Sequence, residues 1–79
     1  MLSELEHSSK VVGAKQVRRA LADGLVSRLF LAEDADPQLI LPLAETAENQ
    51  GVEICWTPDM KSLGRACGIA VGTAAAAII

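Results

Sequence analysis

Residues 25–56, LVSRLFLAEDADPQLILPLAETAENQGVEICW, decide the fold. Residues 25–32 are an apolar run rich in strand formers and read as a buried strand. Glu33-Asp34-Ala35-Asp36-Pro37 then reads as a turn leading into a helix, with Asp36 as the N-cap and Pro37 at the first helical position. A proline deep inside a helix removes a hydrogen bond, so Pro42 predicts a short turn over residues 37–41 and a separate helix from Pro42 to Gln50, stopped by Gly51. Val52, Ile54 and Trp56 then alternate with Glu53 and Cys55, the pattern of a second strand.

The flanks repeat this alternation. Upstream, residues 1–9 suggest a short helical turn and Val11-Val12 a very short strand. Gly13 is placed to cap a helix from Ala14 to about Asp23, with Ala14, Val17 and Leu21 on one face and Gly24 just past its end. Downstream, Thr57-Pro58 opens a helix that turns Met60, Leu63 and Cys67 inward and ends at Gly68. Residues 72–79 are apolar throughout and predict a strand covered on both faces. Such a strand belongs inside the sheet, because at an edge it would invite aggregation. The expectation is one α/β domain over residues 1–79, with helices on both sides of a central sheet.

Composition narrows the function classes. Hydrophobic residues make up 51% of the 79 and aromatics 3%, which argues against disorder and against a surface that stacks single-stranded bases on aromatic rings. Phe30 and Trp56 lie within apolar runs and are expected in the core. Cys55 and Cys67 match no metal spacing, and with His7 far away no zinc set of Cys and His can be assembled. The acidic start resembles no signal peptide, and the apolar run over residues 74–79 is too short to span a bilayer. These features place the chain in a reducing cytoplasm with free thiols. No cofactor or metal is expected.

The net charge is −3, but it is segregated along the chain: residues 10–28 carry +4 and residues 33–59 carry −7. A field local to one face can attract a polyanion whatever the total. Lys15, Arg18 and Arg19 stand at i, i+3 and i+4 and so share a helix face, with Gln16 beside Arg19. Like charges at this spacing cost roughly a few tenths of a kcal/mol per pair. The helix start adds unpaired N–H groups, and Gly13 permits close backbone approach. Such a tip suits phosphate and the O6 and N7 edges of guanine; an ordinary solvated helix face is the competing reading.

Leu63-Gly64-Arg65-Ala66-Cys67-Gly68-Ile69-Ala70-Val71-Gly72 is the second feature. Gly64 inside a helix costs about 1 kcal/mol relative to Ala, so close packing or close approach should explain it. Ile69-Ala70-Val71 either folds inward to begin the last strand or covers an unstacked base; the residues leave both open. No catalytic constellation is visible. Cys67, near a helix C-terminus, lacks the positive dipole end that activates thiols, His7 has no orienting partner, and Glu33, Asp34 and Asp36 match no calcium loop.

Three ordered motifs together resemble the kink-turn-binding ribosomal protein superfamily, in particular its small bacterial YbxF-type members. They are the stretch from Val12 to Leu21, the stretch Ala32-Glu33-Asp34-Ala35-Asp36-Pro37, and the stretch from Leu63 to Gly72, and the likeness covers nearly the whole chain. The resemblance implies a three-layer α/β/α sandwich around a central mixed four-stranded sheet. It implies that the helix tip enters the widened groove beside tandem sheared G·A pairs, through Gly13, Ala14, Lys15, Gln16 and Arg19. It also implies that Ile69, Ala70 and Val71 pack on protruding loop nucleotides. Archaeal and eukaryotic members typically carry Asn-Glu in place of Lys15-Gln16, and Lys in place of Arg19. The exchange removes a carboxylate acceptor and adds a cation, shifting contacts toward guanine acceptors and phosphate.

The expected function is that of a monomeric, non-enzymatic RNA-binding protein that stabilises kink-turns in ribosomal or riboswitch RNA, with Lys61 and Arg65 as added backbone contacts. The rival is a protein-interaction module that uses the 69–71 loop while the basic helix is merely solvated. An enzyme ranks last, because no acid–base pair can be named.

Overall fold

The chain forms α1 (Ser3–His7), β1 (Lys10–Val12), α2 (Ala14–Ala22), β2 (Arg28–Ala32), α3 (Pro37–Asn49), β3 (Glu53–Thr57), α4 (Met60–Ala66) and β4 (Ala75–Ile78). These elements are those of a computed structural model that describes the backbone of residues 3–79 and the side chains of residues 5–79. Met1 and Leu2, part of the helical turn expected over residues 1–9, lie outside the described residues.

The strands pair in the order β1-β4-β2-β3, with β4 antiparallel to both neighbours and β2 parallel to β3. Residues directly opposite in the register share a face. Leu29, Leu31, Ile54, Trp56, Ala75 and Ala77 therefore face one side, and Phe30, Cys55 and Ala76 the other. Helices α2 and α3 pack together, as do α1 and α4. Trp56 shares a cleft with Pro37 and Ile40 of α3, which puts the α2–α3 layer on its face. Lys10, opposite Ile78 on the other face, shares a concavity with Arg65 and Cys67 at α4. The result is the expected three-layer α/β/α sandwich around a mixed sheet. Ala75, Ala76 and Ala77 in the interior strand β4 are fully inaccessible, and their small side chains leave room for Val17, Leu21, Phe30 and Leu63, also at 0–1% exposure.

Several expectations are corrected. Helix α3 is continuous from Pro37 to Asn49 with Pro42 inside it. The amide missing at Pro42 would have paired with the carbonyl of Gln38, an exposed residue that water can serve. Burial of Ile40, Leu43, Ala44 and Ala47 along one face outweighs that loss. Strand β2 starts at Arg28 because Gly24 and Leu25 close α2, their amides donating to Leu21 and Ala20 at 3.0 Å each; Leu25 is 57% exposed. Trp56 is not a core residue. It is 47% exposed because β3 is an edge strand, whereas Phe30 in the interior is at 0%. Helix α4 is opened by Asp59, whose carboxylate accepts from the Ser62 amide, while Thr57 completes β3. Strand β4 starts at Ala75, three residues later than expected, because the preceding loop is held on α4, where the Thr73 amide donates to the Met60 carbonyl at 3.1 Å.

Gly64 shows why that loop sits where it does. A Cβ there would run into the Val71 carbonyl oxygen and stand 3.0 Å from Gly72 Cα. The helix closes over this contact: the Ile69 amide donates to Gly64 and the Gly68 amide to Arg65, with Gly68 at φ 78. The close approach expected at Gly64 is thus between the helix and the loop that follows it.

Two outcomes follow from these contacts. Gly to Ala in an open helix gains about 1 kcal/mol, but Gly64→Ala should instead lose about 1–3 kcal/mol through overpacking. Urea denaturation reads the sign, and a stabilised variant would contradict the close contact. The second outcome concerns Asp59, whose carboxyl lies below its ordinary range chiefly because of the Ser62 amide and hydroxyl, with Arg65 and Lys61 adding to the effect. A lowered folded-state value stabilises above the unfolded value and fades as pH falls through the folded one, below about 4. Asp59→Asn, which keeps a capping side chain, should flatten the acid limb of a urea-midpoint series against pH.

Candidate nucleic-acid interface

The start of α2 is set by Gly13. Its φ of 99° and ψ of 144° lie where side chains are strained, and a Cβ there would meet nothing within 4 Å. Backbone geometry, not crowding, therefore demands glycine here, and the space above it is open. The Gly13 amide donates to the Ala75 carbonyl at 2.9 Å, which fixes the first turn of α2 beside the start of β4. Gly13 supplies no capping side chain, so the first-turn N–H groups keep their donor capacity.

Val17, Ala20 and Leu21 anchor α2 to the sheet, leaving Lys15, Gln16, Arg18 and Arg19 exposed. Lys15 and Arg19, one turn apart, project together. Arg18 leans toward α3 and, with Ala14 and Lys15, lines a groove of about 340 Å3 against Gln38, Leu39 and Leu43. Among the described residues no carboxylate lies within ion-pair distance of Lys15, Arg18 or Arg19. Arg28, by contrast, meets Glu53 at 3.0 Å. The α2 cations are left for an outside anion or for water.

The side chains of the 69–71 loop point outward rather than into the core: Ile69 is 36% and Val71 70% exposed, and Ala70 is exposed as well. This apolar tip is pinned from behind by the contact at Gly64 and by the Thr73–Met60 hydrogen bond. Its chain runs directly into Ala75, the residue that holds Gly13. The helix tip and the apolar loop therefore reach the same end of the sheet. Lys61 is exposed at the start of α4. Arg65 is also exposed but shares its concavity with Glu6 and Lys10, on the α1–α4 side of the sheet away from α2.

Sequence reasoning noted Arg18 but missed its groove. Gln38 and Leu39 carried no signal, because the expected break at Pro42 hid the continuous helix that brings them to α2. Elsewhere, Cys67 is buried, and desolvation pushes its thiol up against a smaller opposing effect of Lys10. Among the described residues no group of three His, Cys, Asp or Glu stands close enough to hold a metal ion, and no helix is long and apolar enough to cross a membrane.

Uncapped amides, unpaired cations and an exposed apolar plate are together able to hold phosphate, base edges and the flat face of an unstacked base. The model of the Ribosomal protein L7Ae/L30e/S12e/Gadd45 family matches residues 2–79. RNA-binding protein GWCH70_0105 of Geobacillus sp. (strain WCH70) is 45% identical over 75 residues, 95% of this chain and 92% of that protein. RNA-binding protein YbxF of Geobacillus stearothermophilus is 40% identical over the same shares. Large ribosomal subunit protein eL8 of Halobacterium salinarum is 34% identical over 68 residues, 85% of this chain and 57% of that one. The Giardia lamblia 15.5kD RNA binding protein has the same fold, with a TM-score of 0.90 at 29% identity over 98% of this chain and 68% of that one. By sequence and by fold, this chain belongs to the L7Ae/L30e/S12e/Gadd45 ribosomal protein family.

Proposed function

We propose that the chain, as a single domain over residues 1–79, binds structured RNA at a kink-turn and holds it in its bent form. The observation that carries this reading is the Gly13–Ala75 hydrogen bond, which sets an uncapped cationic helix start beside a pinned apolar loop. Relatives that span nearly the whole chain and are named RNA-binding proteins support it. Gly13 and Ala14 let the RNA approach the backbone, and Lys15, Gln16 and Arg19 donate to guanine edges and phosphates. Ile69, Ala70 and Val71 cover the unstacked bases. Lys61 is a flanking phosphate contact, and Arg65, on the α1–α4 side of the sheet, contacts phosphate only where the RNA extends past the α2 tip. The protein does no chemistry on the RNA: binding only the kinked state populates that state by mass action. It acts as a cytoplasmic monomer on ribosomal or riboswitch RNA.

The test is a gel-shift titration against a kink-turn and against a variant lacking the G·A pairs, at fixed salt. The kink-turn should bind tightly and the variant weakly; equal affinity for both would remove kink-turn recognition. Arg19→Ala should cost about 1–3 kcal/mol of binding if its guanine contact is direct. Val71→Asp should weaken binding further by setting a carboxylate against the RNA. Affinity should fall steeply as salt rises, roughly one power of salt for each phosphate neutralised. A flat salt response would favour a protein-interaction module built on the 69–71 loop.

A further inference from the structure

A second exposed apolar surface lies outside the elements assigned to RNA. Trp56 at the end of β3 is 47% exposed and Leu41 of α3 is 57% exposed. With Ala35, Pro37 and Ile40 they line an open cleft of about 440 Å3, and its charged member is Glu33. Scattered apolar residues are ordinary on a surface, but a tryptophan, a leucine and a proline meeting in one concavity form a contiguous patch. Beside the cleft, β3 is an edge strand, so among the described residues no strand pairs with its outer side.

Charge selects the occupant. No lysine or arginine occurs anywhere in residues 29–60, while Glu33 lines the cleft and Asp34 and Asp36 lie beside it in sequence. Two of these acids are occupied: Asp34 accepts from the Met60 amide and Asp36 from the Gln38 amide. Glu33 is exposed and has no side-chain partner among the described residues. RNA phosphates would be repelled by Glu33 and the acids next to it in sequence. A second copy pairing edge to edge would set acids against acids. We propose that the cleft docks a cationic, extended peptide segment of a partner protein. The segment lies along β3, sets an apolar side chain against Trp56 and Leu41, and brings a lysine or arginine to Glu33, where an arginine also reaches the indole face. This docking is independent of the RNA reading, because it uses none of the α2 cations.

The chain has a single tryptophan, so its intrinsic fluorescence reports the cleft directly. The intact protein is titrated with the end-blocked peptide Lys-Val-Arg-Leu-Lys-Val and with its counterpart Glu-Val-Glu-Leu-Glu-Val. The basic peptide should give a saturable blue shift that weakens as salt rises, and the acidic one none. Glu33→Lys should weaken the basic peptide at least about fivefold. Leu41→Ser should weaken it comparably, and Arg19→Ala should leave it unchanged. Both cleft positions are exposed, and matched thermal midpoints confirm that the variants fold. Equal response to both peptides, or no response, overturns the proposal. So does a concentration-dependent dimer in sedimentation that protects Trp56 without peptide, or an emission shift produced by RNA and not by peptide.

Discussion

The Gly13 amide and the Ala75 carbonyl are joined by a bond of 2.9 Å, and the arrangement of the functional end depends on it. A neutral hydrogen bond contributes only about 1 kcal/mol net, so its importance is geometric. It extends the pairing of β1 with β4 by one residue past Val12 and Ala76, while the chain at Gly13 turns out of the sheet into α2. A residue with a Cβ at that φ would carry strain of about 1–3 kcal/mol. Replacing it would tilt or fray the first turn that presents Lys15 and Gln16. The same carbonyl belongs to the first residue of β4, so the loop that precedes it is placed by the same contact. Two features 50 and more residues apart are tied to one frame at this backbone pair.

Charge is segregated in space as well as in sequence. The cations of α2 repel one another, and burial of Val17, Ala20 and Leu21 on the opposite face holds the helix in place regardless. A merely solvated charged helix commonly carries acids at i±4 that compensate its bases. Helix α2 carries no acid between Ala14 and Ala22, and no carboxylate reaches its cations from elsewhere among the described residues. The field at its surface is therefore uncompensated, and such a local field can attract a polyanion despite a net charge of −3.

How much of this the sequence disclosed depends on whether local chemistry or tertiary burial made the decision. The strands β2 and β3, the Asp36 cap, the end of α2 at Gly24 and the need for a close approach at Gly64 follow from local rules, and all were legible. Pro42 misled because its local cost is fixed, whereas the packing of Ile40, Leu43 and Ala47 that outweighs it is visible only in three dimensions. Trp56 misled because alternation along a strand does not say whether the strand lies at an edge. For Ile69 and Val71 the residues left two readings open. The outward one was decided by the Val71 carbonyl lying against Gly64, a contact that no periodicity encodes. The groove beside Arg18 was hidden by the Pro42 error itself.

The topology also explains why the start of α2, and not that of α3 or α4, is left without an internal carboxylate cap. Ala32 at the end of β2 donates to Ala74, and Thr73 donates to Met60 at the start of α4. Together with the Gly13–Ala75 bond, these contacts bring the N-termini of α2, α3 and α4 to one end of the sheet, the end where the parallel strands β2 and β3 finish. Each helix start carries a partial positive charge and unpaired amides. At α3 the Asp36 carboxylate takes the Gln38 amide, and at α4 Asp59 takes the Ser62 amide. Both are neutralised from within the chain. At α2 the capping position is glycine, and among the described residues no side chain caps its amides. Lys15, Arg18 and Arg19 then add full charges to the start left open among these three helices. An anion approaching this end therefore meets carboxylates at two helix starts and donors at the third, so the choice of α2 follows from its cap as much as from its cations.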